Sequence, residues 1–436
     1  MSIEMTSAFL LIGLLGLMAC GVPIGFSAGA LAMLIAYINF GSAAVSVANS
    51  AIYSLATEYL LVSVPMFILM ASLLERSALA RDLYSSLQRL VGGSMRGGVA
   101  VVTLLLSVIL AAMSGIIGGE IVLLGLVALP QMLRLHYDRR LAIGVICAGG
   151  SLGTMIPPSV VLIVFGLVAE VSVRELFLAA VVPGLLLALI YFTYVAARCL
   201  LNPSLAPALS SEMKAEISVP RALVMLLPAL GLVMLVMALI YGGVTSVTEA
   251  SGIGAVGALI LIVLRGEFSW RLLNESLVQT LRACGIILWV TFGASVLVSV
   301  YNLSGGRSFF RDLILSTDLS PLGIIGLMML CFFLLGTFMD WIGIVFLTIP
   351  IFVPIVTALG FDPVWFGILF CVSMQVSFLS PPFAPAAFVL KSVAPPHIKL
   401  VEIFQSLLPF IALQLVGLTL IIFFPELALW YRSFGW

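Results

Sequence analysis

Charged side chains are scarce in this sequence. Asp, Glu, Lys and Arg make up only 9% of the 436 residues, whereas hydrophobic residues make up 63%. A soluble domain carries about a quarter charged residues, so the composition excludes an ordinary soluble protein. Apolar runs near the roughly 20 residues needed to cross a bilayer recur along the chain. The sequence therefore predicts an all-α polytopic membrane protein.

The sequence also lacks the motifs that mark common enzymes. It contains no P-loop, no HExxH zinc motif and no GxSxG nucleophile elbow. We therefore expect neither an enzyme nor a protein that binds ATP itself. The formal net charge is zero, which gives no reason to expect nucleic acid as a partner.

Cysteine and histidine patterns are absent as well. The six cysteines are scattered, mostly inside apolar segments, and show no CxxC spacing, which favours small buried side chains. The two histidines, His136 and His397, lie in short polar loops, so we expect no histidine metal site. No separate signal peptide is evident, because the first apolar stretch continues into further apolar sequence.

Polar breaks divide the chain into two halves with six apolar segments each. In the first half the segments lie near residues 7–20, 22–41, 57–75, 97–133, 141–165 and 176–199. In the second half they lie near residues 222–242, 246–265, 280–300, 320–357, 364–390 and 404–425. The longest polar stretch that contains proline, residues 202–222, is predicted to be a cytoplasmic linker. A first repeat would then span residues 1–201 and a second repeat residues 223–436.

Two segments, 97–133 and 320–357, are too long for one untilted span and too short for two. Each has a polar or glycine-rich stretch near its middle, MSGIIGGE at 113–120 and GTFMDW at 336–341. We predict two re-entrant hairpins; a single long, tilted and kinked helix is the alternative. Arginines flank the first segment on both sides, which favours the hairpin because positively charged loops stay in the cytoplasm. They are Arg76, Arg81, Arg89 and Arg96 before it and Arg134, Arg139 and Arg140 after it.

A proline pair interrupts one apolar segment in each half. Pro157-Pro158 lies in segment 141–165, and Pro381-Pro382 lies in segment 364–390. Proline removes a helical hydrogen bond and clashes with the preceding turn, so each segment is predicted to be a broken helix. Within a membrane, broken backbone is tolerated only where it is buried in protein or lines a cavity. Paired breaks in corresponding positions of two halves indicate a transporter's binding site.

The two halves align when one is shifted by 224 residues. The shift superposes Pro130 on Pro354, Asp138 on Asp362 and Cys147 on Cys371, and it superposes the two proline pairs. We therefore predict a duplicated, inverted repeat, in which the second hairpin opens to the opposite face of the membrane.

The hairpin tips and helix breaks supply the groups that a small cation and an anion need. Half-helix amino termini favour a carboxylate, and unwound carbonyls favour sodium. The candidate sodium ligands in the first repeat are Ser114, Gly115, Gly150, Ser151, Thr154 and Pro157. Those in the second repeat are Gly336, Thr337, Asp340, Ser377 and Ser380. Ser114, Thr154 and Lys391 are candidates for substrate contact.

Each of these candidates has a structural alternative. Serine and threonine hydroxyls in membrane helices often bond to their own backbone, and glycines often serve close helix packing. An acid within a hydrophobic stretch indicates function, so Asp340 is expected to contribute to a site rather than only to brace its hairpin. Glu120 is a weaker candidate, since the glycines around it are expected to admit water. Lys391 either pairs with an anionic substrate or extends to the membrane interface.

Several segments together resemble one known family. They are GVPIGFSAGALAMLI, AAMSGIIGGE, AGGSLGTMIPPSVVLIVFG, FLLGTFMDWIGIVFLTIPIFVPI and LSPPFAPAAFVLK. From about residue 8 to the C-terminus the chain is similar to the large membrane subunit (DctM-type permease) of tripartite ATP-independent periplasmic (TRAP) transporters. One departure is at the first hairpin tip, where Ser114-Gly115 is followed by Ile116 instead of the serine that is common in the family.

The resemblance implies a fold, a mechanism and partners. It implies a multi-pass protein of the bacterial inner membrane, driven by sodium, in which a transport domain containing both hairpins and both broken helices moves against a scaffold. It also implies a small four-helix membrane subunit, a periplasmic substrate-binding protein and a small organic acid as substrate. A stand-alone ion-coupled carboxylate symporter without a binding protein is the second hypothesis. A scaffolding or sensory protein is a third, but the chain lacks large polar loops.

Overall fold

The computed structural model describes residues 2–92, 96–115, 118–207, 219–315 and 319–435. All regular structure in these ranges is helical, which confirms the predicted all-α class. Among the described residues, eight helices are long and apolar enough to cross a membrane.

The helices fall into two sets on either side of the linker. Those of the first half are α1 (Ile3–Ala19), α2 (Ile24–Phe40), α3 (Ala44–Ala56), α4 (Ser63–Arg76), α5 (Leu79–Leu87), α6 (Gly98–Ser114), α7 (Gly119–Arg134), α8 (Arg139–Ser151), α9 (Val160–Ala169) and α10 (Val173–Leu201). Those of the second half are α11 (Val219–Tyr241), α12 (Val247–Leu264), α13 (Trp270–Leu303), α14 (Gly306–Leu315), α15 (Pro321–Gly336), α16 (Trp341–Ala358), α17 (Pro363–Leu379), α18 (Pro385–Val393), α19 (Leu400–Phe423) and α20 (Glu426–Leu429).

Both long segments form helical hairpins rather than kinked single helices. Helices α6 and α7 pack against each other across a short turn that begins at Gly115, whose φ is +57°. Ile116 and Ile117, at the tip of this first hairpin, lie outside the described residues. Helices α15 and α16 form the second hairpin, with residues 337–340 as its tip.

Both proline pairs break their helices as predicted. Helix α8 ends at Ser151, a 3-10 turn covers Leu152–Thr154, and the chain stays non-helical until α9 begins. Helix α17 ends at Leu379, and α18 begins only at Pro385. Both proline–proline peptide bonds are cis. Each broken helix therefore consists of two half-helices joined by non-helical backbone.

Residues matched by the 224-residue shift occupy equivalent positions in equivalent helices. Asp138 caps α8 by accepting a hydrogen bond from the Leu141 amide (2.9 Å), and Asp362 caps α17 by accepting one from the Val364 amide (2.7 Å). The matched prolines lie inside the second helix of each hairpin. This correspondence is consistent with duplication, and the inversion of the second half stays a prediction.

The helices pack as two groups. The outer group consists of α1–α4 and α11–α13, and the inner group consists of both hairpins, both broken helices, α10 and α19. Packing inside the inner group is reciprocal: α9 from the first broken helix lies on α16 of the second hairpin, and α18 lies on α7. Both predicted halves of the site thus belong to one packed unit.

Some boundaries differ from the prediction. Helix α13 begins at Trp270 instead of near residue 280, because its first turns carry an exposed ion pair, Arg271–Glu275 at 2.8 Å, that lowers the local hydropathy. Helix α11 begins at Val219, inside the predicted linker 202–222, and residues 208–218 of that linker lie outside the described residues. Helix α3, missed in the sequence, follows α2 after one short 3-10 turn.

The outer group depends on a close approach of α2 and α13. A Cβ atom added to Gly293 would overlap the Gly25 carbonyl, and one added to Gly25 would lie 2.9 Å from the Trp289 carbonyl oxygen. Small residues of this kind let two membrane helices approach until their backbones touch.

We expect Gly293→Ala to lower the free energy of unfolding by about 1–3 kcal/mol, because the added methyl group overpacks this backbone contact. Gly285→Ala on the same helix is the matched control, since no atom lies within 4 Å of its added Cβ. The two purified variants are compared by their midpoints of thermal unfolding in the same detergent. Equal midpoints for the two variants would show that the α2–α13 contact is not tight.

Candidate cation and substrate site

The tip of the first hairpin contacts the first helix break directly. The Val160 amide, at the start of α9, donates to the Gly115 carbonyl at 3.1 Å. A side chain at Gly115 would overlap the Pro158 carbonyl, so only glycine permits this approach. The predicted neighbours Gly115 and Pro157-Pro158 are therefore brought together, and Pro157 is buried in the break.

Ser114 and Glu120 face each other across the same tip. The Ser114 hydroxyl donates to Oε1 of Glu120, and both side chains are buried. The expectation that water reaches Glu120 is wrong, since the residue is 0% exposed. The carboxylate lies against the break: its Cδ is 3.2 Å from where a Cβ on Gly153 would lie.

The hydroxyls of the first break are bonded to nearby backbone. Thr154 donates to the Ser151 carbonyl at 3.1 Å, and Ser151 donates to the Ala148 carbonyl at 2.7 Å. Ser151 also accepts from Nε2 of Gln414 on α19 at 3.1 Å. Gly150 packs so closely on α7 that a Cβ there would overlap Ile121. These contacts fix the shape of the break, and the oxygen atoms keep lone pairs that a cation can use.

The end of α15, beside the tip of the second hairpin, contacts the second broken helix. A Cβ on Gly336 would overlap the Ser377 side chain, so the backbone of α15 lies directly against that side chain of α17. Ser377, Ser380 and Thr337 each donate to a carbonyl of the preceding turn, at 3.0, 2.7 and 2.7 Å. The predicted residues of the second repeat thus converge as those of the first do.

Asp340 is the N-cap residue of α16, and its side chain is exposed rather than buried. The positive end of the helix dipole favours a negative charge at this position. Asp340 therefore presents its charge at the second tip, where it is open to a ligand.

Lys391 lies on α18 and donates hydrogen bonds to backbone carbonyls. Its ammonium group donates to the Ile398 carbonyl at 2.6 Å and to the Pro396 carbonyl at 3.5 Å. These bonds tie the loop after α18 to the helix. Contact of Lys391 with a substrate stays a prediction.

A cleft of about 1540 Å³ separates parts of the two helix groups. Helices α3 and α13 of the outer group form one wall, and α9 and α16 of the inner group form the other. Five serines line the outer wall: Ser46, Ser50, Ser54, Ser295 and Ser299. These serines were not predicted as candidates, although their four-residue spacing along each helix places them on one helix face.

Two solved transporter structures share this fold. The *Neisseria gonorrhoeae* MtrF structure, described as one of a class of antimetabolite efflux pumps, is 15% identical and covers 89% of this chain and 85% of its own, with a TM-score of 0.62. The *Alcanivorax borkumensis* YdaH transporter is 16% identical and covers 87% of this chain and 86% of its own, with a TM-score of 0.57. At these identities the likeness concerns the fold.

Relatives identified by sequence similarity indicate a particular kind of transporter. The C4-dicarboxylate TRAP transporter large permease protein of *Vibrio cholerae* is 27% identical over 98% of this chain and 97% of its own length. The ectoine/5-hydroxyectoine TRAP transporter large permease protein of *Ruegeria pomeroyi* is 30% identical over 86% of both chains. The sialic acid TRAP transporter large permease protein of *Vibrio cholerae* is 26% identical over 96% of both.

A family model gives the same result over nearly the whole chain. The model for the DctM component of the tripartite ATP-independent periplasmic transporters matches residues 11–427. Its members are transporter components rather than enzymes, and the helices described above are long enough to cross a membrane. The chain therefore belongs to the DctM family of TRAP transporter large permease subunits and is a multi-pass protein of the inner membrane.

Proposed function

We propose that this protein is the large permease subunit of a sodium-coupled uptake system for a small organic acid. The observation that carries the proposal is the pair of junctions, one per half, at which a hairpin tip meets a broken helix. Relatives named for C4-dicarboxylates, sialic acid and isethionate support an organic acid as the substrate.

The donor atoms at both junctions suit sodium. They are hydroxyl, carbonyl and carboxylate oxygens, which hard cations prefer over nitrogen or sulfur ligands. Ser114 and Thr154 would serve the first site, and Thr337, Asp340 and Ser377 would serve the second. The substrate carboxylate would bind near half-helix amino termini, where the dipoles favour an anion.

An elevator motion fits the way the helices pack. Both junctions belong to the inner group, and α9 and α16 of that group face α3 and α13 of the outer group across the cleft. We propose that the inner group moves as a unit and carries both cations and the substrate, while the outer group stays fixed. The serine wall would then supply polar contacts along the path of the substrate.

Two partners are part of the proposal, a small four-helix membrane subunit and a periplasmic substrate-binding protein. The isethionate relative of *Oleidesulfovibrio alaskensis*, named as a DctMQ permease, matches 95% of this chain over only 64% of its own length. The additional length of that relative supports the need for a second membrane component. The binding protein follows from the periplasmic transport system that the family description names.

Uptake into proteoliposomes that contain both membrane subunits, with the binding protein outside, tests the coupling. We expect uptake to cease when choline replaces sodium. Ser114→Ala and Asp340→Asn should each raise the sodium concentration for half-maximal uptake by roughly tenfold, the effect of losing about 1.4 kcal/mol of ligand interaction.

Glu426→Gln serves as the control for these two variants, since Glu426 is exposed and lies far along the chain on α20. Uptake that proceeds at full rate in choline would refute sodium coupling. Unchanged half-maximal sodium concentrations in both variants would remove Ser114 and Asp340 from the sites.

Close contact at the second junction should be necessary for transport. Gly336→Ala is expected to slow uptake strongly and to cost about 1–3 kcal/mol of stability, because its methyl group overlaps Ser377. Gly326→Ala on the same helix should be neutral, as no atom lies within 4 Å of its added Cβ. Adding Ser377→Gly to Gly336→Ala should raise the unfolding midpoint above that of Gly336→Ala alone, because it removes the atoms that the methyl group overlaps. If Gly336→Ala took up substrate at the wild-type rate, close contact at the second junction would not be necessary for transport.

The cleft should lie on the path of the moving inner group. Ser50→Trp places a large side chain in the cleft and should abolish most uptake while the protein stays folded. Val45→Trp is the matched change on α3, at a residue that is 66% exposed and does not line the cleft. Equal uptake rates for the two variants would exclude the cleft from the transport path.

A further inference from the structure

Glu120 has a feature that the two proposed sodium sites leave unexplained. The side chain is 0% exposed, and only Oε1 is bonded, by the Ser114 hydroxyl. Among the described residues no group donates to Oε2, which is itself buried. A buried carboxylate oxygen without a partner is costly, so a ligand at Oε2 would offset a large desolvation penalty.

Glu120 lies between the first hairpin tip and the first helix break. It lies in the first turn of α7, it is bonded to Ser114 at the end of α6, and its carboxylate rests against Gly153. Oε2 itself lies 3.4 Å from where a Cβ on Gly153 would be. Oε1 lies nearer still, so the carboxylate as a whole faces the 3-10 turn at the break, whose carbonyls are further oxygen donors.

A second carboxylate approaches from the outer group. The carboxylate oxygens of Glu75, on α4, lie 2.7 and 2.9 Å from where a Cβ on Gly119 would be, directly beside Glu120. The charge of Glu75 is close enough to act on Glu120. The neighbouring Arg76 acts on Glu75 through its charge, while its guanidinium group donates to Glu275 at 2.7 Å and to Gln279 at 2.9 Å. Two carboxyl groups, one from each helix group, therefore meet at the first tip.

We propose that Glu120 is a charged ligand of a sodium ion at the first hairpin tip, and that Glu75 supplies a second negative charge from the outer group. The assignment rests on the proposed sodium coupling and adds to it a carboxylate that the candidate ligands of the first repeat lack. A hard cation at Oε2 satisfies the unbonded oxygen and reduces the repulsion between the two carboxylates. Because Glu75 and Glu120 belong to different helix groups, sodium bound here stabilises the arrangement of the groups seen in this structure.

The sodium dependence of thermal stability tests the assignment without requiring transport. The full chain, purified in detergent, is unfolded by heat in a series of buffers in which sodium chloride replaces choline chloride. Lithium chloride and potassium chloride are the comparison salts. A cation that binds only the folded protein raises the unfolding midpoint as its concentration exceeds Kd. Glu120→Gln should raise the apparent Kd for sodium at least about tenfold, and Glu75→Gln should raise it by a smaller factor. The control Glu426→Gln should respond as the wild type does.

The unfolding midpoints measured without sodium distinguish a cation ligand from a residue with a purely structural role. In choline, Glu120→Gln should be at least as stable as the wild type, because a neutral amide replaces a buried carboxylate with one unbonded oxygen. Glu120→Asp keeps the charge and should retain part of the sodium response. A midpoint lowered equally at every sodium concentration in Glu120→Gln would show a purely structural role and overturn the assignment.

Two further outcomes are decisive. A wild type that responds to sodium, with an unchanged apparent Kd in Glu120→Gln, would overturn the assignment of Glu120 and leave the proposed coupling intact. A wild type whose stability and uptake both ignore sodium would overturn the coupling itself. A Glu120→Gln variant that alters only the pH dependence of uptake would identify a proton carrier and likewise overturn the sodium assignment.

Discussion

The structure depends on satisfying backbone that is broken inside a hydrophobic environment. In hydrocarbon no water replaces the hydrogen bonds lost at a proline pair, so the break must be buried in protein or line a cavity. The first hairpin tip meets this need, since Pro157-Pro158 is buried and the Gly115 carbonyl accepts from the Val160 amide. At the second break Pro381-Pro382 is exposed, and the end of α15 lies against α17 just before it. The first tip and the first break therefore need one another.

This constraint explains why glycine occupies the contact points. A hairpin tip can reach a broken helix only if no side chain stands between them, as at Gly115 and Gly336. The same close approach recurs between α2 and α13 in the outer group, away from the junctions. Glycine thus permits close packing both in the outer group and at the junctions, and glycine alone does not identify function.

Local sequence signals predicted most of the inner group. Proline pairs break helices through backbone chemistry alone, and glycine-rich stretches in over-long apolar segments indicate hairpin tips. The 224-residue shift aligned Asp138 with Asp362, and in the structure both residues are N-caps, since capping depends on a few adjacent residues.

Features that depend on packing were not predictable in the same way. Glu120 was expected to meet water, whereas its side chain is completely buried. Glu75 escaped notice because it is 45 residues earlier and belongs to another helix group. The serines of α3 and α13 form one wall only after the two helices pack together. For all of these residues, burial and partners are set by contacts between distant segments.

The reciprocal packing of the inner group has a thermodynamic consequence. Helix α9, which follows the first break, lies on α16 of the second hairpin, while α18, which follows the second break, lies on α7. An ion bound at one junction, as proposed above, would therefore also restrain a helix of the other. Linkage requires such an effect to be mutual, so two ions would bind with positive cooperativity, whichever arrives first.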